Sequence, residues 1–182
     1  VLFRSVLMAH LDTRINTPGA VDNGGGIAAL LTLAETLSGE TLPFDLEFVA
    51  FNGEEYLPMG DDEYVRRAGE AAFEHVELAT NMDGIGLAGG QNTITHFNAP
   101  PELADRLAAL TKGFPAVQWV EPWPESNHAT FAFRGVPTVA FTSQGARNVS
   151  HYPTDTVDGV DVDKLVEVVD VVGGIVADRR EV

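Results

Sequence analysis

The stretch Val6-Leu7-Met8-Ala9-His10-Leu11-Asp12 decides how the chain is read. Its four apolar residues mark a short buried strand over 6–9, and a polar His-x-Asp follows without a spacer. The layout returns twice downstream. Residues 44–51 are rich in β-formers and run into Asn52-Gly53-Glu54-Glu55, and residues 76–82 end at Asp83-Gly84. Between these strands the apolar spacing turns helical, over 27–37 with Gly39 as the stop, and over 63–72. Beyond them, 93–97, 117–120 and 136–141 read as strands. Helices are expected over 101–110 with proline in the first turn, through 133 from an N-cap at Ser126, and over 162–176. Strands alternating with helices imply an α/β fold with a mostly parallel sheet, in one domain over 1–182. In such sheets functional residues gather at the carboxyl ends of strands, where His10, Glu54, Glu55 and Asp83 all fall.

Composition narrows the partners. The net charge of −16 disfavours nucleic acid, because so acidic a surface repels phosphate backbones. Only Lys112 and Lys164 are lysines, and the balance resembles that of proteins from salt-loving organisms. With no cysteine, disulfides, thiolate metal sites and cysteine nucleophiles are excluded, so any metal must be held by nitrogen and oxygen. No apolar run is long enough to cross a bilayer. Residues 1–5, VLFRS, match what a common sequencing adapter encodes, so they are read as non-native and the native N-terminus as missing. The compartment, cytoplasm or exterior, stays open, as does the oligomeric state.

Each polar motif is ordinary alone. A single histidine is more often structural than metal-bound, and Asp22-Asn23-Gly24 reads equally well as an Asx turn capping a helix. Two adjacent glutamates after a buried strand are costly unless something binds them. The last motif, His151-Tyr152-Pro153-Thr154-Asp155, adds a second imidazole on a proline-containing loop. Together, His10, Asp22, Glu55, Asp83 and His151 offer two nitrogens and three carboxylates, with Glu54 to spare. That set suits two divalent ions, with Asp22 between them. Without metal, acids so close would repel one another and raise their pKa values. His75, His96 and His128 are given structural readings, although His128 has some claim on the cleft.

These motifs, in this order from His10 to Asp155, resemble the M28 family of zinc aminopeptidases. The resemblance implies a three-layer α/β/α domain with a mixed, mostly parallel sheet and two Zn2+ ions per chain. It implies that His10 and Asp83 hold one ion, Glu55 and His151 the other, and that Asp22 bridges them. Glu54 would be the general base, Asp12 would orient His10, and the Asp22–Asn23 peptide would be cis. The implied reaction is metal-assisted hydrolysis of the N-terminal residue from a peptide with a free amine. Glu54 would take a proton from the attacking water and pass it to the leaving amine. An apolar pocket would set specificity, with Tyr56, Phe97, Trp119, Trp123, Phe141 and Tyr152 as candidate walls. Two departures stand out: Asn127 where many relatives have aspartate in Ser-Asp-His, and Trp123 where some have tyrosine. The alternatives are a glutaminyl cyclase-like or carboxypeptidase-like enzyme and a non-catalytic metal-binding domain. Arg14 and Arg147 are the arginines nearest the motifs, too few to favour a carboxypeptidase.

Overall fold

A computed structural model describes residues 3–178. Six strands, β1 (Arg4–His10), β2 (Asp45–Phe51), β3 (Val76–Met82), β4 (Asn92–Phe97), β5 (Gln118–Trp119) and β6 (Thr138–Ser143), form one sheet in the order β2-β1-β3-β6-β4-β5. The pairs β1–β2, β1–β3, β3–β6 and β4–β5 are parallel, and β4–β6 is antiparallel. The sheet is therefore mixed and mostly parallel, as expected.

Its two faces separate along β1 by strict alternation. Leu7 and Ala9 enter a large core with the buried faces of α1 (Gly25–Leu37), α3 (Pro101–Thr111) and α5 (Val162–Asp178). Val6 and Met8 enter a smaller core on the opposite face, which α2 (Met59–Ala68) and α4 (His128–Ala132) cover. There Phe73 packs on Phe131 with ring centroids 5.2 Å apart, and Tyr64 lies 5.6 Å from both Phe51 and Phe131. Helices on both faces complete three layers.

Several element boundaries differ from expectation, each for a local reason. The helix expected over 63–72 begins at Met59 and stops at Ala68, because Gly69 takes φ 77°, and a 3-10 turn over Glu70–His75 follows. Ser126 is no N-cap: at φ 112° it lies outside α4, and Asn127 occupies the cap. Pro137 has no N–H to give the sheet, so β6 starts at Thr138, two residues later than expected, while the Pro137 carbonyl accepts the Ala79 N–H at 3.0 Å. Of residues 1–5, read as non-native, Arg4 and Ser5 belong to β1 and Val1 and Leu2 lie outside the described residues. Among the described residues no helix is long and apolar enough to cross a membrane.

One close approach ties the fold to the site. At Gly26 an added Cβ would collide with Asn23 Oδ1 and with the Met82 carbonyl, which brings α1 against the end of β3. Gly26→Ala should destabilise the fold by about 3 kcal/mol, the upper range for overpacking. A fall in the urea midpoint with an unchanged slope would report it.

Candidate metal centre

Every loop of the site leaves the same edge of the sheet. His10 ends β1, Glu54 and Glu55 follow β2, and Asp83 follows β3. Asp22 lies in the kinked turn that precedes α1, and the Asp22–Asn23 peptide is cis. Asn23 locks that turn in place: its Nδ2 donates to the Met82 carbonyl at 2.9 Å, and its Oδ1 accepts the Gly26 N–H at 3.1 Å.

The five ligand candidates converge as two trios that share Asp22. His10 Nε2 lies 3.1 Å from Asp22 Oδ1 and 3.2 Å from Asp83 Oδ1. His151 Nε2 lies 3.3 Å from Asp22 Oδ2 and 2.8 Å from Glu55 Oε2. Asp22 thus turns one carboxylate oxygen to each imidazole. Within each trio the donor atoms all lie within 4.8 Å of one another. Glu55 Oε1 is buried with no hydrogen-bond partner, an orphaned acceptor that a cation would satisfy. The chemistry of the donors and this orphan both fit divalent cations of the borderline class.

The loops are held by side chains behind the trios. Asp155, buried, accepts the Val21 N–H at 2.7 Å and the Asp22 N–H at 3.0 Å, clamping the kinked turn to the His151 loop. Asp12 works differently from expectation. The backbone carbonyl of Asp12, at 3.0 Å, meets His10 Nδ1, while the nearest carboxylate oxygen is 3.8 Å away. That carboxylate instead accepts the N–H groups of Gly53, Glu54 and Glu55 at 2.8, 3.1 and 3.2 Å, fixing the Glu-Glu turn.

Electrostatics follow from the crowding. Burial pulls the His10 imidazole down, but hydrogen bonds to Asp22 and Asp83 and the charge of Glu54 hold it up at about 11. A ligating imidazole must be neutral, so cation binding competes with that proton. Burial, then the Asp83 charge, pushes Glu54 up to about 7. Burial and the Asp22 charge also raise Glu55. Asp83 departs from the expected repulsion: burial favours its neutral form, yet the His10 contact holds it below the ordinary aspartate range.

A cleft of about 980 Å³ opens at the trios, and Trp123, Pro124 and Val120 are among the residues that line it. Of the six aromatic wall candidates only Trp123 lines it. Phe141 is buried in the core, Phe97 packs on His128, and Trp119 donates to Thr111 Oγ1 at 3.0 Å. Tyr56 lies beneath Arg14, and Tyr152 is exposed. His128 is structural: fully buried, it donates from Nε2 to the Trp123 carbonyl at 2.7 Å and accepts from Asn81 Nδ2 at 3.3 Å. Burial lowers its pKa.

The departure at Asn127 has a partner that sequence reading missed. Asn127 Nδ2 donates at 2.7 Å to the buried Asp61 of α2, whose other oxygen accepts Thr130 Oγ1 at 2.7 Å. Only the position of Asp61, in the first turn of a helix packed against α4, reveals this pair.

The fold and the centre together define an α/β domain that gathers imidazoles and carboxylates at strand ends, in two groups that could each hold a metal ion. The chain belongs to peptidase family M28, whose model matches residues 4–176. It is 25% identical over 175 residues to "Aminopeptidase YwaD" of Bacillus subtilis, a match covering 90% of this chain and 38% of that protein. BSAP, a zinc aminopeptidase from Bacillus subtilis, superposes with a TM-score of 0.85 at 21% identity, covering 97% of this chain and 46% of that one. A glutaminyl cyclase from an Acidobacteriales bacterium superposes at 0.79 and 21% identity, covering all of this chain and 70% of that one. The chain thus spans less than half the length of the two aminopeptidases.

Two outcomes follow from the supports behind the trios. Asp12→Ala should weaken zinc binding about 10- to 100-fold, the usual effect of removing a group that orients ligands, read by competition against a chromogenic chelator. Asn127→Asp should place a second carboxylate 2.7 Å from Asp61, costing about 3 kcal/mol. Burial already raises the Asp61 pKa, so protonation favours the folded state. The deficit of Asn127→Asp should therefore grow as pH rises from 5 to 8, and Asp61→Asn in the same chain should restore most of it, both read by urea unfolding.

Proposed function

We propose that this chain carries the catalytic centre of a two-zinc aminopeptidase, releasing N-terminal residues from peptides with a free α-amine. The observation that carries the reading is Asp22, with one oxygen facing His10 and the other facing His151. Membership of the M28 family and the names of the relatives support it.

In this reading His10, Asp22 and Asp83 would hold one zinc, and Asp22, Glu55 and His151 would hold the other. Zinc, when bound, supplies Lewis acidity and lowers the pKa of coordinated water. The chain's own residues do the rest. Glu54 lines the cleft with Oε2 4.0 Å from His10 Nε2, beside the trios without belonging to either. Its carboxylate takes the proton of the attacking water and returns it to the nitrogen of the leaving amine. Burial and the neighbouring Asp83 already push its pKa up, the direction a group needs if it is to carry a proton and then give it away. Asp12 keeps Glu54 at that distance through the turn, and the acidic cleft receives the cationic α-amine.

Leucine p-nitroanilide hydrolysis should be lost on chelation and restored by zinc. Glu54→Gln should lower kcat by about 10²–10⁴-fold, the range for a general base, while zinc stoichiometry by mass spectrometry stays at two. One zinc per chain would overturn the bridging role of Asp22. Cyclisation of a glutaminyl peptide without release of p-nitroaniline would assign the cyclase reaction instead.

A further inference from the structure

Two guanidinium groups line the cleft, and they are built differently. Arg147 Nη2 sits 3.0 Å from Glu125 Oε1 with its side chain 77% exposed, a rim ion pair of small energetic weight. Arg14 is fixed at three points. Its carbonyl accepts the Thr17 N–H at 3.0 Å, its Nε donates to Glu55 Oε2 at 3.1 Å, and its guanidinium carbon lies 5.0 Å above the Tyr56 ring. Tyr56 is itself held, since its hydroxyl accepts the Ile15 N–H at 2.6 Å.

A guanidinium presents its donors along two edges of a plane. Engaging Nε on Glu55 spends the inner edge, and the edge formed by Nη1 and Nη2 faces away from that carboxylate. Glu55 is the only ion-pair partner of Arg14 among the described residues. A planar fork held by its Nε and by a cation–π contact with Tyr56 is preorganised for a carboxylate, which it meets with two parallel hydrogen bonds. The rest of the cleft floor (Asp22, Glu54, Glu55 and Asp83) repels carboxylates and attracts amines. Arg14 is thus a fixed positive group beside an acidic floor, and a substrate that carries both an amine and a carboxylate can satisfy both signs there.

We propose that Arg14 is a specificity-determining residue that binds a carboxylate borne by the residue after the cleaved bond. The carboxylate comes from the free C-terminus of a dipeptide or from an acidic side chain at that position. This inference rests on the aminopeptidase reading.

Binding is measured by calorimetry on the zinc-loaded Glu54→Gln chain, which holds peptides without turning them over. Leucyl-glycine should bind at least about 10-fold more tightly than leucyl-glycinamide if the C-terminus is the source. Leucyl-glutamic acid amide should bind that much more tightly than leucyl-glutamine amide if the side chain is. Adding Arg14→Gln should bring whichever ratio is large to within about twofold, and Arg14→Lys should keep part of it. Ratios are taken within each variant, so a change in zinc affinity cancels, and zinc content is measured alongside. Equal binding of acid and amide in both pairs, absence of binding by all four, or a preference that survives Arg14→Gln would overturn the proposal. Leucine p-nitroanilide carries no carboxylate, so its hydrolysis by the unaltered chain reports on the aminopeptidase reading separately.

Discussion

A single carboxylate placed between two imidazoles is the constraint on which this molecule depends. Asp22 reaches His10 with one oxygen and His151 with the other, at 3.1 and 3.3 Å. To do so it must be buried, at 6% exposure, with two further acids alongside, Glu55 and Asp83. Such a grouping is unfavourable unless positive charge enters it or protons stay on it. The crowding raises the pKa values of Glu54, Glu55 and His10, each toward its protonated form.

The sheet answers the constraint by geometry. Parallel strands β1, β2 and β3 end side by side, so residues that follow them arrive together without long side chains having to reach. What remains is to stop the connecting loops from drifting. Asp12 grips the Glu-Glu turn, Asn23 grips the ends of β3 and α1, and Asp155 grips the backbone of Asp22. These three residues bond backbone groups, which fixes chain path more firmly than side-chain pairing would.

Most of this architecture was legible in the sequence, because the strands carry the deepest burial and so the plainest apolar runs. Residues 6–9 and 76–82 are examples, each followed at once by the polar residue that the strand delivers. Legibility fell where partners lie far away in the chain. The Asp12 carboxylate reads as a companion of His10, two residues away, but its bonds go to Gly53, Glu54 and Glu55. Nothing in local spacing singles out Asp61, whose partner Asn127 lies 66 positions away. Five of the six aromatic wall candidates lie elsewhere for the same reason. Phe141 alternates into the core and Trp119 finds Thr111, and neither direction is encoded in local spacing. Ser126 looked like an ordinary cap because a positive φ leaves no mark in residue type alone.

The clamp from Asp155 to Val21 spans 134 positions of chain. Closing so wide a loop is entropically slow, and it rewards folding only once the intervening strands have paired. The two trios are therefore complete only in a chain whose distant segments are already joined. A chain in which residues 21 and 155 have not met lacks the shared carboxylate position, so any affinity for divalent cations should rise and fall with the global fold.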